Sequence, residues 1–468
     1  MTIKKIKIIA RTIFLTLLIY LFIGLRPYLG HVNISNEWKS DFTTSSFSNQ
    51  NIIPEKIRLV ESPEEAFSHR LNLITNAEYQ IILTTFTIHD GVTTDKIVGA
   101  LLDAANRGVH IQILNDGASG KMSRDYLIAL SSHNLIDVYI FTPINILKPH
   151  LFNRLMHDKY MIVDTQFLLL GGRNIGDKYF NPEGFDKRLT LDREVLIFNS
   201  NLDFSGSIVQ TINYFEQKIQ SEMVLLHNPT SREIEITAEN LQKQFIEYYH
   251  LYRVDSPAEK FDPRKQMTEV RNITLIYDSP QVVRKEPVVG FTLYQLASES
   301  EKIIMQTPYI ALTRRNQERF LELIYSRDVT LITNSLASSP NIAAFSAYYV
   351  DRDEYVQRGL KIYEFQSNTK SIHGKTFLFD GRITAIGSFN LNERSLRSDT
   401  ETMLIIDSEE FHEIVIDAIN NQKANSLRVN LDNVYEYDDY IDISEVGNFK
   451  SILFNIFGRV MRPFRFLF

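Results

Sequence analysis

Residues 156–174 read MHDKYMIVDTQFLLLGGRN, and residues 372–390 read IHGKTFLFDGRITAIGSFN. Laid over one another without a gap they share His157 and His373, Lys159 and Lys375, Asp164 and Asp380, Gly171 and Gly387, and Asn174 and Asn390, every pair displaced by 216 positions. So many matches without a slip mark an internal repeat, and two related half-sites are expected to face each other. The apolar, β-branched and aromatic run at 156–163 and again at 372–379 predicts a strand in each copy. Residues two apart on a strand share a face, so each histidine and its lysine point the same way. Asp164 and Asp380 lie an odd number of positions further on and point the other way, as turn-fixing groups. A second strand follows in each copy (166–170 and 382–386), after which Gly171-Gly172 and Gly387-Ser388 predict a tight turn. That turn would send the amides of Asn174 and Asn390 back toward an anion such as a phosphate.

Both copies resemble the HKD motif of the phospholipase D superfamily. Finer features resemble the bacterial cardiolipin synthase branch, its C type most closely: GGRNIGDKYF (171–180), LITNSLASS (331–339) followed by AAFSAY (343–348), SIHGKTFLFDGR (371–382) and IGSFNLNERS (386–395). The likeness runs from about residue 66 to the C-terminus. It implies that one histidine attacks the phosphodiester phosphorus, giving a phosphohistidine, while the other protonates the departing alcohol and then deprotonates the acceptor. By similarity His157 is the nucleophile and His373 the acid/base, an order that the symmetry of the sequence does not fix. Lys159, Lys375, Asn174 and Asn390 would stabilise the non-bridging oxygens. Each imidazole also needs a carboxylate on its non-reacting nitrogen. In the family an acidic residue downstream of the motif supplies it, which points to Glu401 in the second half and Glu194 in the first, with Asp192 two residues before Glu194 on the same predicted face. No metal or cofactor is implied.

Strand and helix patterns alternate in both halves. Residues 80–87 read as a strand, 97–107 as a helix and 109–115 as a strand; 302–306, 317–325 and 329–333 repeat the order. The expected fold is α/β: two phospholipase D-like lobes, each a mixed β-sheet flanked by helices, related by a pseudo-two-fold axis. A chain of 468 residues accommodates lobes at 56–252 and 267–430, linkers at 31–55 and 253–266, and end segments at 1–30 and 431–468. His89, near a predicted strand end, is left out of the catalytic set because nine histidines lie outside the motifs.

The ends point to a membrane. Residues 1–30 hold Lys4, Lys5, Lys7, Arg11 and Arg26 and no acid, and 12–25 is an unbroken apolar run with no small-residue cleavage site after it. An uncleaved anchor is favoured over a cleaved signal. The positive-inside rule then places the lobes outside the cytoplasm, which is the periplasmic side of the inner membrane in a Gram-negative bacterium. At 449–468 an apolar stripe at helical spacing (Ile452, Leu453, Ile456, Phe457, Val460, Met461, Phe464) runs beside four basic residues, predicting an interfacial helix that Pro463 ends, or else a helix packed on the protein. With the ends removed, residues 31–448 carry a net charge of −16 against −7 for the whole chain. A nucleic-acid enzyme needs a basic track, so phospholipid substrates are expected rather than nucleic acid. The reading is a membrane-associated phosphatidyltransferase that acts on phosphatidylglycerol, or on phosphatidylethanolamine as donor, and makes cardiolipin. With water as acceptor, the same residues would make a phospholipase D-type hydrolase.

Overall fold

The computed structural model describes residues 3–30, 33–227, 232–255, 262–280 and 284–467, so the middle of the expected linker at 253–266 lies outside the described residues. Two large mixed sheets carry the repeat. In spatial order the first runs Thr268–Glu269, Glu55–Val60, Glu194–Asn199, Phe167–Gly171, Tyr160–Val163, Gln80–Thr85, His110–Asp116, Ile136–Phe141 and Val224–His227. The second runs Asn272–Tyr277, Thr402–Asp407, Ile383–Gly387, Thr376–Phe379, Lys302–Gln306, Asp328–Asn334, Lys361–Phe365 and Ser426–Val429. Without the two-residue edge strand of the first sheet, the two orders match position by position. The mixture is local: Gln80–Thr85 and Lys302–Gln306 each pair parallel on one side and antiparallel with the motif strand on the other.

The sheets face each other across a shared core. Leu168, Leu170, Val195 and Ile197 of the first sheet meet Leu378, Ile386, Leu404 and Ile406 of the second, together with residues of helices Ser207–Ile219 and Glu409–Lys423. The other face of the first sheet is covered by helices that include Pro63–Thr75 and Val92–Asn106, and that of the second by Val288–Glu299, Arg314–Ser326 and Ile342–Gln357. Apolar side chains that alternate along a strand serve both cores, so neither sheet has a face to leave in water.

The motif strands depart from the sequence expectation. Met156 bridges Thr400, and Ile372 pairs with Leu191, so each copy begins bound to the other half. The His157 amide then donates to Thr400 O (3.2 Å) and the His373 amide to Leu191 O (2.7 Å). Only from Tyr160 and Thr376 does each chain join its own sheet. The apolar run hides this change of partner, and the three residues at the crossover, His-x-Lys, lie outside both ladders.

The glycine pairs also act differently from expectation. Gly171 and Gly387 allow close approach rather than a left-handed turn: a Cβ there would stand 2.3 Å from Arg193 O and 2.1 Å from Thr402 O. The left-handed turns lie one strand earlier, at Asp164-Thr165 and Asp380-Gly381. There Asp164 accepts the amides of Glu78, Tyr79 and Gln80, and Asp380 those of Glu301 and Lys302. Both carboxylates therefore fix the start of a central strand, at the opposite end of the motif strand from the histidines.

The N-terminal helix Ile3–Leu25 is long and apolar enough to cross a membrane. At the other end, helix Asn448–Val460 docks on helix Ile342–Gln357 through buried Phe454 and Gly458, and Arg465 in the following turn Arg462–Leu467 is buried against Asp351. The packed face is thus not the expected stripe. Ile452, Leu453, Ile456, Val460 and Phe464 are left exposed.

Candidate functional site

Corresponding strands deliver corresponding side chains. Asp116, closing strand His110–Asp116, accepts the Met156 amide (2.8 Å), and Asn334, closing strand Asp328–Asn334, accepts the Ile372 amide (2.8 Å). Each motif is thereby held one residue ahead of its histidine. Asp158, between His157 and Lys159, is fully buried and accepts from Lys218 Nζ (2.9 Å), Tyr214 OH (3.1 Å) and Thr400 Oγ1 (2.5 Å). Sequence reading gave no sign of this clamp, because its cation sits 60 residues away on helix Ser207–Ile219. Removing one partner of a buried pair strands the other charge. Lys218→Met is therefore expected to cost about 3–5 kcal/mol, read as a lowered unfolding midpoint in detergent.

The imidazole partners cross between halves. His157 Nδ1 lies 3.1 Å from both carboxylate oxygens of Glu401, and His373 Nδ1 lies 2.5 Å from Asp192 Oδ2. A carboxylate on Nδ1 puts the ring proton there and leaves each Nε2 free for chemistry. Glu194 does not take the expected place. It is buried between Arg70 and Arg173, away from either imidazole. Strand register explains the correction: the Gly172 amide donates to Arg193 O and its equivalent, the Ser388 amide, to Thr402 O, so the counterpart of Glu401 is Asp192. The two partners differ in setting. Gly172 leaves room for Asp192, whose Oδ1 would lie 2.3 Å from a Cβ, whereas Ser388 and Ser395 donate hydroxyls to Glu401.

Lys159 and Lys375 are buried and donate to the carbonyls of their own histidines, and Lys375 Nζ stands over the edge of the His373 ring, 2.8 Å from Nδ1 and 3.1 Å from Nε2. His157 packs edge-on to Phe86, its ring centroid 5.1 Å away, and His373 sits 6.1 Å from the Tyr179 ring. The asparagines are less simple than expected. Asn174 accepts from the Thr87 amide and donates to Tyr179 OH, while Asn390 Oδ1 is buried with no partner among the described residues.

Burial and mutual repulsion set the charge of this cluster. Burial, then the Lys375 charge, pulls Lys159 down to about 7, and burial pulls Lys375 down to about 8. His373 falls to about 3 through burial and the adjacent Lys375, and His157 is held well below its ordinary value by burial and then Lys159. Burial raises Glu401 to about 7. Burial also opposes ionisation of Asp192, but Lys375 and His373 outweigh it and hold that carboxyl well below its usual range. The resting site therefore has neutral imidazoles, an ionised Asp192 and lysines that lose protons near neutrality. An anion binds best while the lysines are protonated, so kcat/KM for a soluble phosphodiester is expected to fall as pH rises through 7–8. Binding of an unreactive diester should take up protons in that window, measured by calorimetry in buffers of different ionisation heat.

The sequence pattern of the family described as "Cardiolipin synthase, PLD-like domain" matches residues 71–218 and 293–423. Cardiolipin synthase C of Escherichia coli K12 is 26% identical over 401 residues, covering 76% of this chain and 82% of its own. An uncharacterized protein of Helicobacter pylori 26695 is 26% identical over 390 residues, covering 75% and 76%. The crystal structure of phosphatidylserine synthase from Haemophilus influenzae Rd KW20 superposes with a TM-score of 0.63 over 88% of this chain and 95% of that one, at 16% identity, a likeness of fold. With both halves matched and two His-Lys pairs folded together, the chain belongs to the cardiolipin synthase family of phospholipase D-like phosphatidyltransferases.

Proposed function

We propose that the chain transfers a phosphatidyl group through a phosphohistidine on His157 to phosphatidylglycerol, forming cardiolipin at a membrane surface. One observation carries the chemistry: two His-Lys pairs share one buried site in which each imidazole is held by a carboxylate of the opposite half. In the first step His373 enters as an imidazolium, having taken up a proton on Nε2 from solvent as the anionic diester binds; His157 Nε2 attacks phosphorus, the bond from phosphorus to the leaving alcohol oxygen breaks, and His373 Nε2 gives that oxygen its proton. In the second step the acceptor hydroxyl attacks, His373 takes its proton, and the P–N bond breaks. The setting of the two histidines supports this order of roles. His373 is the more open of the two, its side chain 21% exposed against 10% for His157, as a group exchanging protons with arriving and departing alcohols needs to be. Its partner Asp192 is ionised and supports the imidazolium that forms. Lys159 and Lys375, with Asn390, would bear the phosphoryl oxygens.

Lipid as acceptor requires a site held at the bilayer, where lipid alcohols are concentrated and water is excluded. The helix Ile3–Leu25 leads to a turn in which Tyr28 O and Gly30 O accept from Arg397. Arg397 ends helix Glu393–Arg397, a few residues before Glu401, and that helix packs on the C-terminal turn Arg462–Leu467. The turn Arg462–Leu467 and the residues that follow the N-terminal helix thus share one neighbour, and the exposed stripe of helix Asn448–Val460, flanked by Arg459 and Arg462, suits an anionic bilayer. The basic residues before the apolar run support a placement of the lobes on the periplasmic side of the inner membrane. The test is product analysis with the full chain in vesicles of labelled phosphatidylglycerol, with phosphatidylethanolamine as a second donor. Cardiolipin with one equivalent of glycerol or ethanolamine is expected; phosphatidic acid as the main product would make the enzyme a hydrolase.

A further inference from the structure

The segment 143–152, PINILKPHLF, leads from strand Ile136–Phe141 toward the first motif and exposes what a loop in water would cover. Ile144 is 67% exposed, Ile146 72% and Leu147 85%. These side chains stand together at the tip of one loop, so they form a patch rather than scattered surface residues.

The loop is fastened along the N-terminal helix. Tyr20 OH donates to Ile146 O (2.9 Å) and Tyr28 OH to His150 O (2.7 Å), while a Cβ at Gly24 would stand 3.3 Å from Pro149 O. Tyr20, Gly24 and Tyr28 are spaced by four, one side of a helix. The loop therefore runs down the helix toward its apolar middle. At 1.5 Å per residue, Tyr20 lies about 9 Å below Arg26 along the axis, and Arg26 and Tyr28 are the residue types that mark a membrane interface. The loop tip is thus level with the part of the helix that sits in hydrocarbon.

We propose that residues 143–152 dip into the bilayer leaflet beside the N-terminal helix and form the path by which a phospholipid headgroup leaves that leaflet for His157. The occupant of this surface is lipid, because the apolar tip continues the surface of a helix built to span a bilayer. The base of the loop is rigid. Thr142 Oγ1 donates to Arg154 O, and the buried Arg154 guanidinium donates to Ser398 O and Ser279 O of the second half. Three residues after Arg154 comes His157, so a lipid lying along the loop has its headgroup beside the site while its chains stay in the membrane.

The inference rests on the membrane reading of the N-terminal helix, and the experiment separates the two. The natural chain has no cysteine, so Leu147→Cys, Phe14→Cys and Tyr79→Cys each give one labelling position for a polarity-sensitive fluorophore. Tyr79 precedes strand Gln80–Thr85, at the end of that strand away from the site, and serves as the aqueous reference. In full-length protein reconstituted into phosphatidylglycerol–phosphatidylcholine vesicles, the probes at 147 and 14 are expected to emit to the blue. Lipids brominated in the acyl chain should quench them and aqueous iodide should not, with the reverse at 79. A probe at 147 quenched by iodide while 14 stays in lipid overturns the loop's insertion and leaves the anchor standing; iodide quenching at both overturns the two together. As a functional arm, the double change Ile146→Asp and Leu147→Asp should lower the rate on vesicles at least tenfold and change cleavage of a soluble diester less than twofold. Equal losses on both substrates would overturn the delivery role.

Discussion

Asp192→Asn is expected to lower turnover by about 10²–10⁴-fold with little change in folding, whereas Glu194→Gln, two residues away, should do the reverse. An amide beside His373 Nδ1 no longer demands a proton on that nitrogen and cannot offset the imidazolium, which is the kind of loss seen when a catalytic histidine is left in the wrong tautomer. At 1.36 kcal/mol per factor of ten, the range corresponds to about 3–5 kcal/mol of transition-state stabilisation. Glu194 instead neutralises Arg70 and Arg173 in a buried cluster, and its loss strands both guanidiniums. That change should cost about 3–5 kcal/mol of stability while the folded fraction keeps its turnover. The measurements are kcat on a soluble diester at saturation and the denaturant midpoint of each variant. A large kcat loss in Glu194→Gln with Asp192→Asn near wild type would restore the pairing expected from the sequence and refute the crossed one.

The repeat was legible because chemistry and spacing coincide. His157, Lys159 and Asn174 keep their offsets in the second copy, and no packing requirement makes those residue types recur together. The alternation of elements along the chain was legible too: the apolar runs at 80–87 and 302–306, each followed by a helix and another strand, fall at matching places in the two sheets, although the order of strands within a sheet was not read from the sequence. What lay beyond the sequence is relational. Asp192 follows His157 by 35 positions and Glu401 follows His373 by 28, so counting along the chain does not align them, whereas the ladder beside Gly172 and Ser388 does. Two acids spaced by two would share a face on a regular strand, but strand Glu194–Asn199 begins only at Glu194, and Asp192 is free to turn toward the other half. The C-terminal stripe was visible as periodicity, yet which face docks was decided by Gly458, where a Cβ would meet Ser346 O at 2.4 Å, and by the Arg465–Asp351 pair. Neither reads as apolar.

His157→Ala and His373→Ala are each expected to lower turnover of a phospholipid at least 10³-fold, since the nucleophile and the proton-transfer group lie in different halves and neither replaces the other. The two variants should differ in what they leave behind. A p-nitrophenyl phosphodiester has a leaving group that departs without a proton, so His373→Ala can still complete the first step: His157 Nε2 bonds to phosphorus and p-nitrophenolate leaves with the electron pair of the broken P–O bond. The second step then stalls, because nothing takes the proton of the attacking alcohol or water. Rapid mixing should show a burst approaching one equivalent of p-nitrophenolate per active site, followed by a slow steady state, with the phosphoryl adduct recoverable on the peptide that contains His157. His157→Ala has no nucleophile and should give no burst. The lysines bear on the rate of the burst, because Lys159 and Lys375 are held near 7 and 8 by burial. At pH 6 both are protonated and the burst should be fast; at pH 9 its rate should fall while its amplitude stays near one equivalent, since the adduct has no route onward. A burst from His157→Ala, with the adduct on His373, would reverse the two roles while keeping the shared site. Bursts from both variants would mean that each half works alone, and the crossed pairs His157–Glu401 and His373–Asp192 would then be ties of the fold rather than parts of one reaction.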